Sequence, residues 1–487
     1  MLFNSLQYAL FLPVVLLLYY CSWGQARLWI LLIASYLFYA SWNWVYLFLI
    51  IGLSIINFGF GLGLSGLNKR RKSTHAAWLM TFGITVNLGV LVFFKYASFV
   101  LVNLSGLFSG LGFHLKAPEF NPVLPLAISF FCFEFIHYLV DVWKGSFAIR
   151  SPLKFAIFAA FFPTQIAGPI KRYEDFVPQL EDPPRFDWDR VAQGLRLIVT
   201  GLFKKLVLAD NLALWVSQGF QAVSPDKPAL PAQEAWLVVL GFAMQIYFDF
   251  SGYTDMGRGS ALMLGFKVPE NFRRPYLSTS IREFWRRWHI SLSSWLRDYV
   301  YVPLGGNRRA RDRNLFITLV LGGLWHGANW TFVIWGAAHG LLLVINRRFS
   351  SFFHCPIGFW RPISAICCWF ITFTLVCIGW VFFKASSVDH AIRLLGMMFY
   401  QHAGNAYILG PFEHRLILGI VLSYFGVALI QENWGQLVLR RNSFFGTENR
   451  WLGLAYQSFV PAAYTLLVAA ILLFRPAESI RFIYFQF

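Results

Sequence analysis

The sequence predicts an all-α polytopic membrane protein, with roughly 11 transmembrane helices supplemented by re-entrant and interfacial helices. Only 13% of the 487 residues are charged and 57% are hydrophobic, whereas a soluble domain carries about 25% charged residues. Mean hydropathy is +0.55, and several apolar runs reach the ~20 residues that a helix needs to cross a bilayer. The 20 Trp and 20 Tyr suit aromatic belts at the two membrane interfaces. One membrane domain, residues 1–487, is expected, with a core near 122–347.

Candidate spans fall near 7–23, 28–42, 44–65, 77–103, 122–142, 153–170, 191–216, 234–266, 314–345, 363–384, 412–431 and 455–475. Arg27 follows the first span, Lys69-Arg70-Arg71-Lys72 the third, and Lys144, Arg150 and Lys154 the fifth. These clusters share one side if the N-terminus is outside, and basic loops mark the cytoplasm. The second half agrees through Arg308, Arg309, Arg311 and Arg313, then Arg347-Arg348, then Arg440-Arg441. Both termini are therefore expected on the outer side of the membrane.

Two stretches, 153–170 and 314–345, carry basic residues at both ends. A re-entrant or hairpin path reconciles each with the charge rule. Residues 278–299 form a third exception. Ile281, Phe284, Trp285, Trp288, Leu292, Trp295, Leu296 and Tyr299 make a helical apolar stripe. Arg282, Arg286, His289, Ser293 and Arg297 share another face, and Ser280 with Glu283 forms a capping-box start. A Trp-anchored basic helix at the interface is expected here.

The net charge of +18 resides in short clusters between apolar spans. It reads as topology and attraction to the bilayer's anionic headgroups, with no nucleic-acid partner. Six cysteines without a CxxC pair give neither a disulfide framework nor a zinc signature. Glu134, His137 and Asp141 share a helix face but are too few for a metal site. No metal is expected. The absence of a Gly-x-Ser-x-Gly elbow and of a phosphate-binding loop argues against a serine hydrolase or an ATP-driven pump.

The most telling segment is Gly322-Gly323-Leu324-Trp325-His326-Gly327-Ala328-Asn329-Trp330. From Asn314 to Leu321 and from Thr331 to Ile345 there is no formal charge. An ionisable group at bilayer depth is a functional-site candidate by default. His326 could be a core histidine bonded to a helix carbonyl. Its glycine neighbours also let a substrate approach closely. Neutral imidazole can take a proton from an attacking hydroxyl or itself carry an acyl group. His289, on a basic face, is a second candidate, with a solvated residue as the plain alternative. In Tyr247-Phe248-Asp249-Phe250-Ser251-Gly252-Tyr253-Thr254-Asp255, two carboxylates lie within an apolar span and must be paired or protonated. Arg258, Arg273 or Arg286 are the expected partners.

Together these motifs resemble the membrane-bound O-acyltransferase superfamily, in the branch of bacterial polysaccharide O-acetyltransferases of the alginate and cellulose type. The resemblance runs nearly end to end. It starts at Phe3-Asn4-Ser5 and Phe11-Leu12-Pro13-Val14, and includes Phe162-Pro163 and Ala167-Gly168-Pro169-Ile170. Glu270-Asn271-Phe272, Glu283-Phe284-Trp285-Arg286-Arg287-Trp288-His289 and Leu304-Gly305-Gly306-Asn307-Arg308 follow, and the chain closes on Tyr484-Phe485-Gln486-Phe487.

The resemblance implies a many-helix bundle in which His326 is the catalytic histidine and His289 a second functional one. It implies a cytoplasmic acyl donor, acetyl-CoA or another acetyl thioester, with no bound cofactor. Arg282, Arg286, Arg297 and Trp285 are the candidate donor contacts, and Asp249, Asp255, Trp325 and Asn329 the candidate tunnel or structural residues. The implied partners are periplasmic acetyltransferase or acetyl-carrier proteins, a polysaccharide synthase complex and an exported polysaccharide acceptor. The alternatives are a non-catalytic export scaffold or acyl-lipid flippase, and a component of D-alanylation or peptidoglycan O-acetylation.

Overall fold

The computed structural model describes residues 1–67, 73–113, 120, 122–166, 168–349, 361–400, 407–444, 450–476, 480 and 482–483. Lys69 to Lys72, Ala167 and the closing Tyr484 to Phe487 lie outside the described residues. The described chain is helical, with no β strand among these residues.

In order, the first helices are α1 (Leu6–Cys21), α2 (Gln25–Ala40), α3 (Trp44–Leu67), α4 (Thr74–Leu91), α5 (Ala97–Gly110) and α6 (Ile128–Lys144). A π-helical turn, Val92–Tyr96, joins α4 to α5 without interruption. Then come α7 (Pro152–Ala160) and three shorter or longer pieces, α8 (Phe162–Gln165), α9 (Tyr173–Phe176) and α10 (Trp188–Leu202). The central part holds α11 (Asp210–Ala222), α12 (Ala232–Met263), α13 (Ile281–Arg287), α14 (Ile290–Leu296), α15 (Arg311–His326) and α16 (Trp330–Arg348). The last four are α17 (Arg361–Lys384), α18 (Val388–Phe399), α19 (Pro411–Phe444) and α20 (Arg450–Phe474).

Among the described residues, five stretches are long and apolar enough to cross a bilayer: Trp44–Leu67, Thr74–Gly110, Ala232–Met263, Pro362–Lys384 and Pro411–Glu432. Leu6–Cys21, Gln25–Ala40 and Pro461–Phe474 are shorter apolar helices. The helix α12 is the buried axis of the bundle, whereas α4 and α5 leave most of their surface to lipid.

Buried ions on and around α12 are paired, as low-dielectric surroundings demand. The expected arginine partners are only partly correct. Asp249 pairs with Lys205 at 2.8 Å, and Lys205 also meets Asp210 at 2.7 Å. The other Asp249 oxygen accepts from the Ile483 backbone N–H at 2.7 Å, pinning the end of the chain to the core. Asp255 meets Lys204 at 2.6 Å and Arg258 at 3.7 Å. Arg273 instead pairs with Glu270.

The two stretches with basic ends do fold back or break. The run from 153 is interrupted after Ala160, and α8 is a single turn. In the other, α15 and α16 form an antiparallel hairpin whose arms touch through glycines. A Cβ on Gly323 would lie 3.0 Å from Gly336 Cα, and one on Gly340 would lie 3.1 Å from Phe316 Cα. At the open end, Asp312 holds Arg347 and Arg348 together, the latter at 2.5 Å. The tip is Gly327 to Asn329, with the Asn329 side chain accepting from Thr331 N at 3.0 Å. Each arm is only 16 to 19 residues long. At 1.5 Å per residue, His326 stands ~21 Å from Asp312, less than the ~30 Å thickness of a bilayer core.

Residues 278–299 are not the single interfacial helix expected from their stripe. The helix breaks between Arg287 and Ile290, where His289 takes φ 42° and ψ 55°. The strand-like segment before it supplies the cause. Arg273 N donates to Arg287 O, Ile290 N donates to Asn271 O, and Asn271 Oδ1 accepts from Ser291 N and Oγ. These bonds replace the helical ones that a continuous helix would need. The predicted cap is present: Ser280 Oγ accepts from Glu283 N at 3.2 Å, while Glu283 reaches back to Thr279 N.

Candidate active site

His326 ends α15 at the hairpin tip and is 4% exposed. Trp335 from α16 stands edge-on to it, ring centroids 5.2 Å apart, and Phe383 from the end of α17 lies at 5.0 Å. Trp325 packs against it at 5.0 Å and is itself stacked on Phe133 of α6. The imidazole therefore sits in an aromatic cage at the point where three helices meet.

The break in 278–299 turns His289 inward. It is fully buried, not on the exposed basic face where its helical register put it. Its ring faces Phe250 of α12 at 4.7 Å and Trp325 at 6.1 Å, so Trp325 separates the two histidines. Both His289 ring nitrogens lack a hydrogen-bond partner among the described residues. Buried polar groups are normally satisfied, so the exception suits a site that a substrate or water completes.

A cavity of about 420 Å³ opens beside the base of the hairpin. Its wall includes Arg282, Trp285, Arg286, Arg297 and Arg311. All four predicted donor contacts are thus in one cavity, although the helix expected to carry them is broken. Arg282 and Arg286 make no ion pair with a described carboxylate. Arg297 is held by Asp298 at 2.7 Å, and Arg172 bonds the same carboxylate. Burial raises the Asp298 carboxyl, but the hydrogen bonds from Arg297 and Arg172 outweigh it and hold the group below its ordinary range. At the inner wall, Trp285 meets Trp335 at 5.7 Å, and Trp335 meets His326. One indole layer separates the arginine cavity from His326.

A second cavity, about 820 Å³, lies at the Lys384 end of α17 and is lined by Phe220, Lys384, Ser386, Ser387, His390 and Arg393, among others. It adjoins the tip directly. Lys384 follows Phe383, and Asn329 Nδ2 donates to Ser386 O at 3.3 Å. Asn329 therefore caps α16 and ties the tip to this cavity wall. Asp249 and Asp255 line neither of these two cavities, and their part is structural pairing within the α12 core.

The Glu134, His137 and Asp141 face is also structural. Glu134 pairs with buried Lys171 at 2.8 Å, His137 meets Phe133 O and Tyr173 N, and Asp141 accepts from the Tyr299 hydroxyl. Their partners differ, and no group of three His, Cys, Asp or Glu among the described residues has metal-site geometry.

Sequence reasoning missed Trp335 and Phe383 of the cage, the second cavity, and Lys95. The Lys95 signal was available: it is the one Asp, Glu, Lys or Arg between Thr74 and Gly110.

The sequence profile of the MBOAT, membrane-bound O-acyltransferase family, matches residues 125–388, which include both histidines and the arginine cavity, whereas Asp389, His390, Ile392 and Arg393 of the second cavity lie just beyond it. The chain is 39% identical to the "Probable alginate O-acetylase" of Pseudomonas putida over 98% of each chain. It is 42% identical to the protein of that name in Pseudomonas aeruginosa, covering 86% of this chain and 80% of the relative. A "Peptidoglycan O-acetyltransferase" of Helicobacter pylori is 36% identical over 79% of this chain and 77% of its own. The chain belongs to the membrane-bound O-acyltransferase family.

Proposed function

We propose that this chain acetylates an exported bacterial cell-envelope polysaccharide, passing acetyl groups from a cytoplasmic thioester towards the periplasm. The observation that carries the reading is the position of His326, at the tip of a hairpin whose arms help line the arginine cavity and whose Asn329 is bonded to the wall of the second cavity. In this reading both termini are periplasmic, so the inner-membrane crossings are even in number, about 10 by the charge-and-length argument when 153–170 and 314–345 are re-entrant. The α15–α16 hairpin enters and leaves on the cytoplasmic side.

The donor, acetyl-CoA or a relayed acetyl thioester, enters the arginine cavity. Arg282 and Arg286 hold its phosphates, since guanidinium pairs bidentately with phosphate. Trp285 guides the acyl arm inward. His326 takes the proton from the acceptor hydroxyl as that oxygen attacks the thioester carbonyl, and the thiol leaves towards the cytoplasm. A transient acetyl-imidazole is the variant of the same step. His289, across Trp325, orients the thioester. The acceptor, polymer or a periplasmic carrier protein, approaches through the cavity of Ser386, Ser387 and Arg393. The names of the Pseudomonas relatives favour a polysaccharide of the alginate type. The H. pylori relative favours peptidoglycan as the second reading.

Deleting the gene and measuring O-acetyl on every exported polymer by NMR tests the reading. The expected result is normal secretion of one polymer stripped of acetyl. Loss of secretion itself would point to an export scaffold or flippase instead.

A further inference from the structure

The hairpin tip is gripped from the lipid side. Lys95 Nζ donates to Trp325 O at 2.6 Å and to His326 O at 3.1 Å. The next residue, Tyr96, donates its hydroxyl to Leu324 O at 2.8 Å. One helix further along, Asn103 Oδ1 accepts from Trp330 Nε1 at 2.9 Å, and Phe99 packs on the Trp330 ring at 5.8 Å. The α4–α5 rod therefore touches the tip on both sides of the Gly327 break.

Three features make Lys95 more than a packing residue. It is a lone cation on a lipid-facing helix, an expensive placement unless it serves something. It sits in the π-helical turn Val92–Tyr96, a distortion that recurs at functional sites. Its acceptors are the last carbonyls of α15, which lack intrahelical partners and carry the negative end of the helix dipole. The last of those carbonyls belongs to His326 itself.

We propose that Lys95 is a positioning residue for His326: its ammonium fixes the final turn of α15 and with it the direction of the imidazole. This rests on the reading of His326 as the acyl-transfer base. Lys95 touches no reacting atom. Its contribution is to hold a helix end that the adjoining glycine would otherwise leave free to move.

The test uses the full-length chain in inverted membrane vesicles of its host, with radiolabelled acetyl-CoA as donor and membrane abundance measured for each variant. Lys95→Met keeps the length of the side chain and removes its donors. It should lower kcat about tenfold or more while leaving KM for acetyl-CoA within about twofold, because a small misplacement of a reacting group costs rate rather than binding. Lys95→Arg should recover most of the loss. Tyr96→Phe, which removes one bond without touching a charge, should lower kcat about threefold, and serves if Lys95→Met does not accumulate. Wild-type kcat in Lys95→Met or Tyr96→Phe would overturn the proposal. So would a loss explained by abundance alone, or an arginine variant as slow as the methionine one. His326→Ala runs in parallel: if it stays active, the reading of His326 fails, whereas a silent His326→Ala beside a fully active Lys95→Met sinks only the role of Lys95.

Discussion

Gly323 of α15 and Gly336 of α16 meet backbone to backbone, leaving 3.0 Å between a Cβ built on the first and the Cα of the second. That contact packs the two helices of the hairpin side by side and places His326 at their common tip. Gly323→Ala should splay the arms, costing about 1–3 kcal/mol as overpacked sites do, and cut acetylation several-fold. The neighbouring Gly322→Ala is the control. Its Cβ would meet only the end of Leu296, so thermal stability and activity should stay near wild type.

Arg282 and Arg286 face the arginine cavity with no described carboxylate to neutralise them. Arg286→Ala should raise KM for acetyl-CoA about five- to tenfold with kcat little changed, as expected for loss of one charge-assisted contact to a phosphate. The double variant should be weaker still. Steady-state rates against donor concentration decide it, and an unchanged KM would remove the arginines from the donor site.

Asp298 ties the arginine cavity to the segment before α9 through Arg297 and Arg172. Its carboxyl is held below its ordinary range, so the contribution to stability is fully present above the unfolded value of about 3.9. It is lost only as pH falls through the lowered folded value. Asp298→Asn should lower the melting temperature of the detergent-solubilised protein by about 2 °C at pH 7. The difference should persist unchanged from pH 8 to pH 5 and shrink below about pH 4. A difference that fades between pH 7 and pH 5 would contradict the assignment.

Ser387 and Arg308 are predicted on opposite faces of the membrane. With the native cysteines replaced, Ser387→Cys should react with a membrane-impermeant maleimide in cells whose outer membrane is opened. Arg308→Cys should react only after the inner membrane is broken. Labelling of both from the periplasm would refute the orientation.

Much of this was legible in the sequence because the bilayer imposes strong rules. Apolar length located most helices, and arginines at both ends of 314–345 announced a hairpin before any contact was known. Helical spacing put Arg282, Arg286 and Arg297 on one face and Trp285 on the apolar stripe, yet all four line one cavity because the helix is broken; His326 stood out as an ionisable group in an apolar stretch. What was hidden depends on partners distant in sequence. His289 points inward because Asn271 intercepts Ile290, a bond no helical periodicity encodes. Asp249 chose Lys205, far back on a π-helical turn, over the nearer arginines. The helix α18 was missed because 12 residues between two spans give too short a periodic signal. The second cavity needed Phe220 and His390 side by side, joined by a 3.0 Å bond across the bundle.

The most direct measurement is the O-acetyl content of the exported polymer in cells carrying only the His326→Ala chain, at wild-type abundance in the membrane. The account predicts polymer secreted in normal amount with its acetyl groups missing. Polymer acetylated to the wild-type level would contradict it.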